Sequence, residues 1–273
     1  MDLSGVVDMH IHTGPDVRPR RLDDIELAQE AKRIGVRAVV IKSHVMSTAA
    51  RATIAEKVCP GVRVFGGIAL NPHVGGINPT AVEASIKMGA KVVWLPTLFS
   101  ANHRRAEGRI DGVETVIDNR VVPALTDILK MIAEHNIVLA TGHLAPKEVF
   151  VVVAEAQRCG VKKIVVTHPE FGTINMSLDD QKALAEKGVY FERVYAHPIG
   201  GGNYKSNFVA NREAIDKVGY RSTIISTDSG QVENPLWSES IVEYLTFLKE
   251  QGISQADLDV MTKITPAKLL DLD

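Results

Sequence analysis

The sequence repeats one unit along its whole length: a short Val/Ile-rich run, a polar or Gly/Pro-containing loop, and a segment with the apolar spacing of an amphipathic helix. Eight such runs are present, at residues 5–11, 37–42, 63–69, 91–95, 137–141, 163–167, 189–194 and 222–226. Their apolar residues are mostly continuous, as is typical of strands that are buried on both faces. Helical patterns cover residues 22–35, 79–90, 125–136, 145–160, 177–188, 207–219 and the stretch from 235 onwards.

Strands alternating with helices, without a break in composition, predict a single parallel α/β domain over residues 1–273. Eight units in this length match a (β/α)8 TIM-type barrel. The competing fold is a doubly wound open sheet, but the GxGxxG turn typical of its dinucleotide-binding form is missing after the first strand. The longest connection, residues 97–124, is interpreted as an active-site loop, with a small hairpin as an option.

Composition excludes several classes of protein. The formal net charge is -2, so the basic excess of a nucleic-acid-binding protein is absent. Cys59 and Cys159 lie far apart, which argues against a disulfide framework and fits a reducing cytoplasm. No secretory signal is evident, and no apolar run approaches the ~20 residues that a membrane helix needs. We therefore expect a cytoplasmic protein that acts on a small molecule. A homo-oligomer is the default expectation for a soluble enzyme.

The histidines fall at strand ends. His10 and His12 end the first strand, and His135 alone belongs to a helix end. The other six follow strands two to seven in order: His44, His73, His103, His143, His168 and His197. Because active sites of such barrels lie at the carboxyl ends of the strands, eight of the nine histidines are expected on one face.

The alternation of side chains along the first strand favours a metal site. Side chains alternate across a strand, so Asp8, His10 and His12 are expected to share a face. Asp228 occupies the corresponding position after the eighth strand. Neutral imidazoles with a carboxylate suit zinc, and also manganese, iron or cobalt. A catalytic site leaves one coordination position open for water.

With these residues in place, the sequence resembles the amidohydrolase superfamily, most closely its small metal-dependent hydrolases. The resemblance rests on "HIH" (His10, His12), "ATGHLA" (His143), "VVTHPE" (His168) and "STDSG" (Asp228), and spans roughly residues 5–230. It implies a divalent cation held by His10, His12, His143 and Asp228, with His168 as a further ligand or as the group that binds substrate or water. It also implies hydrolysis of an amide, cyclic amide, lactone or ester by metal-activated water, with Asp228 as the proton acceptor.

The fourth strand departs from the family pattern. Two-metal members usually offer a carboxylated lysine or a glutamate there, whereas this chain has "KVVWLPT". One ion is therefore favoured over two. A second ion would need another bridging group, from a carboxylated Lys42, from Glu192 or from Glu170.

Further residues are candidates for binding substrate. Lys42 and His44 share parity; Lys42 could hold a substrate carboxylate or pair with Asp8 or Glu192. His73 and His103 could line the pocket, and Arg18 in "DVRPRR" could bind an anionic substrate. The glycine-rich residues 197–206 are a candidate phosphate cradle or mobile lid.

Three other functions stay open. A metal-dependent decarboxylase on the same scaffold would fit a single ion. A phosphoesterase of the histidinol-phosphatase-like kind would use His44, His73 and Glu192 as additional ligands. A barrel that only binds its ligand is the non-enzymatic alternative, against which the intact Asp228 argues.

Overall fold

The eight Val/Ile-rich runs all form strands in the computed structural model, which describes residues 2–272. The fold is α/β, and the eight strands pair in parallel. The third run is divided at Gly66 into two short segments. The strands are β1 (Val7–His12), β2 (Ala38–Lys42), β3 (Arg63–Phe65 and Gly67–Ala69), β4 (Val92–Trp94), β5 (Val138–Ala140), β6 (Ile164–Val166), β7 (Tyr190–Arg193) and β8 (Thr223–Ile225).

Strands that follow one another in the sequence lie side by side in the sheets. The first segment of β3 ends a three-stranded sheet, β1-β2-β3, and its second segment begins a six-stranded sheet that continues through β4, β5, β6 and β7 to β8. Residues just beyond β8 return to β1: Asp228 N donates to His10 O at 2.9 Å, and His12 N donates to Ser229 O at 2.8 Å. The carboxyl ends of the first and last strands are therefore held side by side.

Helices follow the strands, as the alternation predicts. They are α1 (Asp24–Arg33), α2 (Ala49–Val58), α3 (Pro79–Lys87), α4 (Ala101–Ala106), α5 (Pro123–Glu134), α6 (Pro146–Arg158), α7 (Leu178–Ala185), α8 (Phe208–Val218), α9 (Trp237–Glu250), α10 (Gln255–Asp259) and α11 (Thr265–Leu269). The start of α1 shows why the sequence fixes these ends. Asp23 accepts from the backbone N–H groups of Ile25 and Glu26, and the Glu26 carboxylate accepts from Asp23 N.

Two antiparallel hairpins interrupt the alternation. One, Val116–Ile117 with Arg120–Val121, lies in the long connection after β4, where a small hairpin was an option. The other, Ala196–Gly200 with Asn203–Ser206, follows β7 and contains the glycine-rich segment. Both lie on loops at the carboxyl ends of strands, so both belong to the face that carries the histidines.

The core has two layers. An inner cluster contains Val7, Met9, Val40 and Trp94, and it is closed by Leu269 and its neighbours in α11. Two outer clusters join the other faces of the strands to the helices. Within residues 2–272, no helix combines the length and the hydropathy that crossing a membrane requires.

The first strand breaks simple alternation. Its register against β2 shifts between Asp8 and Ile11. Val7 and Met9 pack in the inner cluster, whereas Asp8 contacts Trp237, a member of an outer cluster. The expectation that Asp8 shares a face with both histidines therefore fails, because the irregularity allows His10 and His12 to point to the centre while Asp8 points outwards.

Candidate metal centre

Three side chains converge where β1 ends and the chain leaves β8. The Nε2 atoms of His10 and His12 lie 3.3 Å apart, and Asp228 Oδ1 lies 3.0 Å from the first and 3.1 Å from the second. Donors bound tetrahedrally to one zinc ion at about 2.0–2.2 Å lie about 3.3–3.6 Å from each other, slightly farther apart than these three atoms. Among the histidine, cysteine, aspartate and glutamate side chains of residues 2–272, these three have ligand atoms close enough to one another to share one ion. The triangle therefore fits one divalent cation.

The backbone that carries Asp228 is held tightly. Asp228 has φ 53, in the left-handed region that Asp and Asn tolerate better than most residues. At Gly230, φ is 119, and a Cβ atom there would lie 1.8 Å from His12 O. Glycine at this position thus permits the close approach of the two chain segments.

Electrostatics at the triangle favour a positive charge. Burial lowers the pKa of His10, but the Asp228 and Glu192 carboxylates outweigh burial and raise this pKa to about 9. Burial also opposes ionisation of Asp228, yet the two imidazoles hold its pKa well below the ordinary value. Asp228 Oδ1 is buried, and its partners are the Nε2 atoms of His10 and His12. A divalent cation would replace the His10 proton and bind that oxygen.

Glu192 and Lys42 both contact His10, Glu192 at Nδ1 behind the triangle and Lys42 at Nε2 on the cavity side. Glu192 Oε2 lies 2.9 Å from His10 Nδ1, the arrangement that fixes the tautomer of a ligating histidine and leaves Nε2 free for an ion. Lys42 Nζ lies 3.0 Å from His10 Nε2, and burial lowers the pKa of Lys42 to about 8. Both side chains therefore act on His10. Glu170, the third candidate bridge, instead pairs with the buried Arg193.

We expect Glu192→Gln to weaken metal binding by about 10–100-fold, the usual effect of removing an outer-shell carboxylate. The amide still accepts a hydrogen bond from His10 Nδ1 but has no negative charge to raise the basicity of Nε2 or to balance the bound cation. Titration of zinc against a chromogenic chelator measures the change. Glu134→Gln, which alters an exposed carboxylate at the end of α5, should keep wild-type affinity. An affinity within about twofold of wild type for Glu192→Gln would contradict this role.

Asp8 positions the two strand ends, a role that the sequence did not reveal. It is fully buried, and its carboxylate accepts from Thr227 Oγ1 at 2.7 Å, Trp237 Nε1 at 2.9 Å, His10 N at 3.1 Å and Thr227 N at 3.2 Å. Burial raises the pKa of Asp8 to about 6. Four donors occupy its lone pairs, so Asp8 fixes the segment before Asp228 against β1.

Further histidines surround the triangle without entering it. The His168 ring lies 5.9 Å from that of His10, and the His44 ring stacks 4.7 Å from that of His12. The ring centres of His143 and His168 lie 4.9 Å apart, and His143 Nδ1 lies 3.0 Å from His103 Nδ1. The structure thus gathers these predicted residues but places neither His143 nor His168 among the clustered donors.

The outer imidazoles are neutral, as is His12 within the triangle. Burial lowers the pKa values of His12, His44 and His143 well below the ordinary value, and that of His168 to about 4. His168 Nδ1 is buried without a partner. Neutral rings can ligate a cation or donate one hydrogen bond to a substrate oxygen.

A cavity opens above the triangle. It is lined by the polar and charged residues Arg18, Arg20, Lys42, Asp228, Gln231 and Glu233, by the histidines His12, His44, His143 and His168, and by Leu98, Phe171 and Pro198. Arg20, which sequence reasoning passed over, has a buried side chain paired with Asp16 at 2.7 Å, and its Nη2 lies 3.5 Å from His12 Nδ1. The predicted Arg18 is at the rim. His73 is exposed and packs against Phe99, at 5.1 Å, outside the cavity lining.

Comparison with known proteins identifies the family. A model described as a family of unknown function, DUF6282, matches residues 5–192, more than half of the chain. The chain belongs to this family. The match of the DUF6282 model includes His10, His12, His143, His168 and Glu192 and ends before Asp228. No curated protein matches the sequence significantly.

Solved structures resemble this DUF6282 chain in fold. A protein described as a 2-pyrone-4,6-dicarboxylic acid hydrolase from Pseudomonas putida has a TM-score of 0.67 at 16% identity, covering 100% of this chain and 99% of its own. An amidohydrolase from Pseudomonas aeruginosa has a TM-score of 0.68 at 14% identity, covering 98% of this chain and 95% of its own. An amidohydrolase from Burkholderia multivorans with bound zinc has a TM-score of 0.58 at 13% identity, covering 98% of this chain and 99% of its own. The predicted resemblance to amidohydrolases is confirmed in the fold.

Proposed function

We propose that the protein is a metal-dependent hydrolase that cleaves an amide, cyclic amide, lactone or ester bond. The observation that carries this proposal is the convergence of His10, His12 and Asp228 at the carboxyl ends of β1 and β8, with donor atoms 3.0–3.3 Å apart. In parallel α/β barrels this is the end where catalytic residues lie. The structural relatives named as hydrolases add support, because they share the fold.

Four finer statements belong to this proposal. The eight strands form a complete (β/α)8 barrel, closed by the contacts of Asp228 and Ser229 with β1. Zinc is the cation, because two imidazoles and one carboxylate suit it, and the similar Burkholderia multivorans amidohydrolase holds zinc. One ion binds, since the donor cluster has three members. The protein is cytoplasmic, in keeping with its two free cysteines.

The residues present can perform hydrolysis. A divalent cation bound at the triangle would polarise the scissile carbonyl and lower the pKa of water to about 7. Asp228 is ionised and accepts the proton of the attacking water, then donates it to the leaving oxygen or nitrogen. The neutral ring of His168 can donate a hydrogen bond to the oxyanion that develops on the substrate. Glu192 keeps His10 oriented throughout.

Metal analysis tests the proposal. Protein purified without chelators should contain about one equivalent of a transition metal, and removing it should abolish ester hydrolysis, which zinc then restores. Hydrolysis at this cavity requires the ion, because none of the described residues that line it forms the nucleophile–base pair of a metal-free hydrolase. Less than about half an equivalent of metal, together with no activity after zinc or manganese is added, would refute the proposed function.

A further inference from the structure

One short segment of the connection after β4 contacts His143 at three points. Ser100 Oγ donates to His143 O at 2.9 Å, and Asn102 Nδ2 donates to the same carbonyl at 3.1 Å. His103 Nδ1 lies 3.0 Å from His143 Nδ1. Asn102 Nδ2 also donates to Thr173 O at 2.7 Å, which ties the loop after β5 to the loop after β6. The connection that the sequence marks as an active-site loop therefore holds a cavity histidine in place.

His103 lies one layer behind the cavity. Its side chain is buried, and the residues that line the cavity include its neighbour His143 rather than His103 itself. A side chain in this place acts on a bound molecule through the ring that it contacts. The contact between the two Nδ1 atoms is therefore the feature that decides what His103 does.

The protons of the two rings follow from their partners. Glu107 Oε1 lies 3.5 Å from His103 Nε2, and because a carboxylate only accepts hydrogen bonds, His103 carries its proton on Nε2. Burial lowers the pKa values of His103 and His143, so both rings are neutral and each has one N–H group. His103 Nδ1 is then an acceptor, for His143 Nδ1–H and for the Thr173 hydroxyl at 3.3 Å. His143 Nε2 is left without a proton.

An unprotonated Nε2 on His143 changes the chemistry of the cavity. The cationic side chains that line it, Arg18, Arg20 and Lys42, can only donate hydrogen bonds when charged. A neutral imidazole offers a lone pair only from the nitrogen that carries no proton. The tautomer of His143 therefore determines whether this ring accepts or donates inside the cavity.

We propose, resting on the proposed function, that His103 is a positioning residue that holds His143 in the tautomer with its proton on Nδ1, so that Nε2 presents a lone pair to the cavity. In this tautomer His143 accepts a hydrogen bond from water or offers its lone pair to a cation; with the proton on Nε2 it could do neither. Glu107 and Thr173 in turn hold His103 in its accepting tautomer.

Nuclear magnetic resonance of the metal-free protein with nitrogen-labelled histidines reports where each imidazole carries its proton. In wild type, His143 should show a single tautomer with the proton on Nδ1. His103→Leu removes the acceptor and should give a mixture of both tautomers, whereas His103→Asn, which keeps a carbonyl oxygen on a short side chain, should restore the wild-type tautomer. His73→Leu, at an exposed imidazole outside the cavity lining, is the matched control and should leave the His143 signals unchanged.

A second variant covers the case in which His103→Leu does not fold. Glu107→Gln alters an exposed side chain, and its amide can donate as well as accept, so His103 is no longer confined to one tautomer. The His143 signals should then shift in the same direction by a smaller amount. A single, wild-type tautomer of His143 in His103→Leu, or in Glu107→Gln where only that variant folds, overturns the proposal.

Kinetics with the zinc-loaded protein separate this inference from the proposed function. At saturating zinc, His103→Leu should lower kcat for phenyl acetate by about tenfold or more, and His103→Asn should recover most of the loss. In a His143→Ala background, His103→Leu should have no further effect, because its role passes through that ring. An equal loss in both backgrounds overturns the positioning role. If the tautomer depends on His103 but no ester is hydrolysed, the hydrolase proposal fails and the positioning role stands.

Discussion

Replacing Asp228 by Asn should lower kcat for phenyl acetate hydrolysis by about 10³-fold or more while the protein stays folded. The expected loss follows from two roles of one carboxylate: it contacts the metal position and it accepts the proton of the attacking water. Removing a positioned general base alone typically costs 10²–10⁴-fold. The assay is run at saturating zinc, so that weaker metal binding does not account for the loss.

The Asp228→Asn substitution is well suited to this test. Asn has nearly the same shape and tolerates the left-handed conformation that φ 53 imposes, so the backbone hydrogen bond from residue 228 to His10 should persist. Circular dichroism and thermal unfolding should match those of wild type. Asp127→Asn, at an exposed position of α5, is the matched control and should retain full activity. Turnover by Asp228→Asn within about twofold of wild type would remove Asp228 from the mechanism.

Much of the fold could be predicted because hydrophobic burial governs it. All eight strands coincide with Val/Ile-rich runs, since strands covered on both faces need continuous apolar side chains. Two helices were not predicted: the short α4 (Ala101–Ala106), within the connection interpreted as a loop, and α2 (Ala49–Val58). The longer of them, α2, shows why. Its buried positions are alanines, while Ile54 and Val58 are exposed, so its apolar residues do not mark one face. Periodicity cannot detect a helix that packs through small residues.

The candidate site likewise contains residues that the sequence predicts and residues that it does not. His10, His12 and Asp228 could be predicted because their residue types and strand-end positions are visible in the sequence. Asp8 could not, since the register shift that turns it towards Trp237 depends on how β1 pairs with β2. Arg20 was also hidden, because its pairing with Asp16 and approach to His12 depend on how the loop after β1 folds back.

Replacing His12 by Ala should abolish metal binding, with bound zinc falling below about 0.1 equivalent in protein purified without chelators. Removing a ligand from a cluster of three leaves His10 and Asp228, too few donors for a stable site, and the effect should exceed that of Glu192→Gln. At zinc concentrations that saturate wild type, Asp228→Asn should bind zinc but stay inactive, whereas His12→Ala should remain without bound zinc. His73→Ala, which removes an exposed imidazole from a loop on the same face, should bind zinc normally. Full metal content in His12→Ala would show that the ion binds elsewhere, and the pairing of β1 with the segment after β8 would then serve the fold alone.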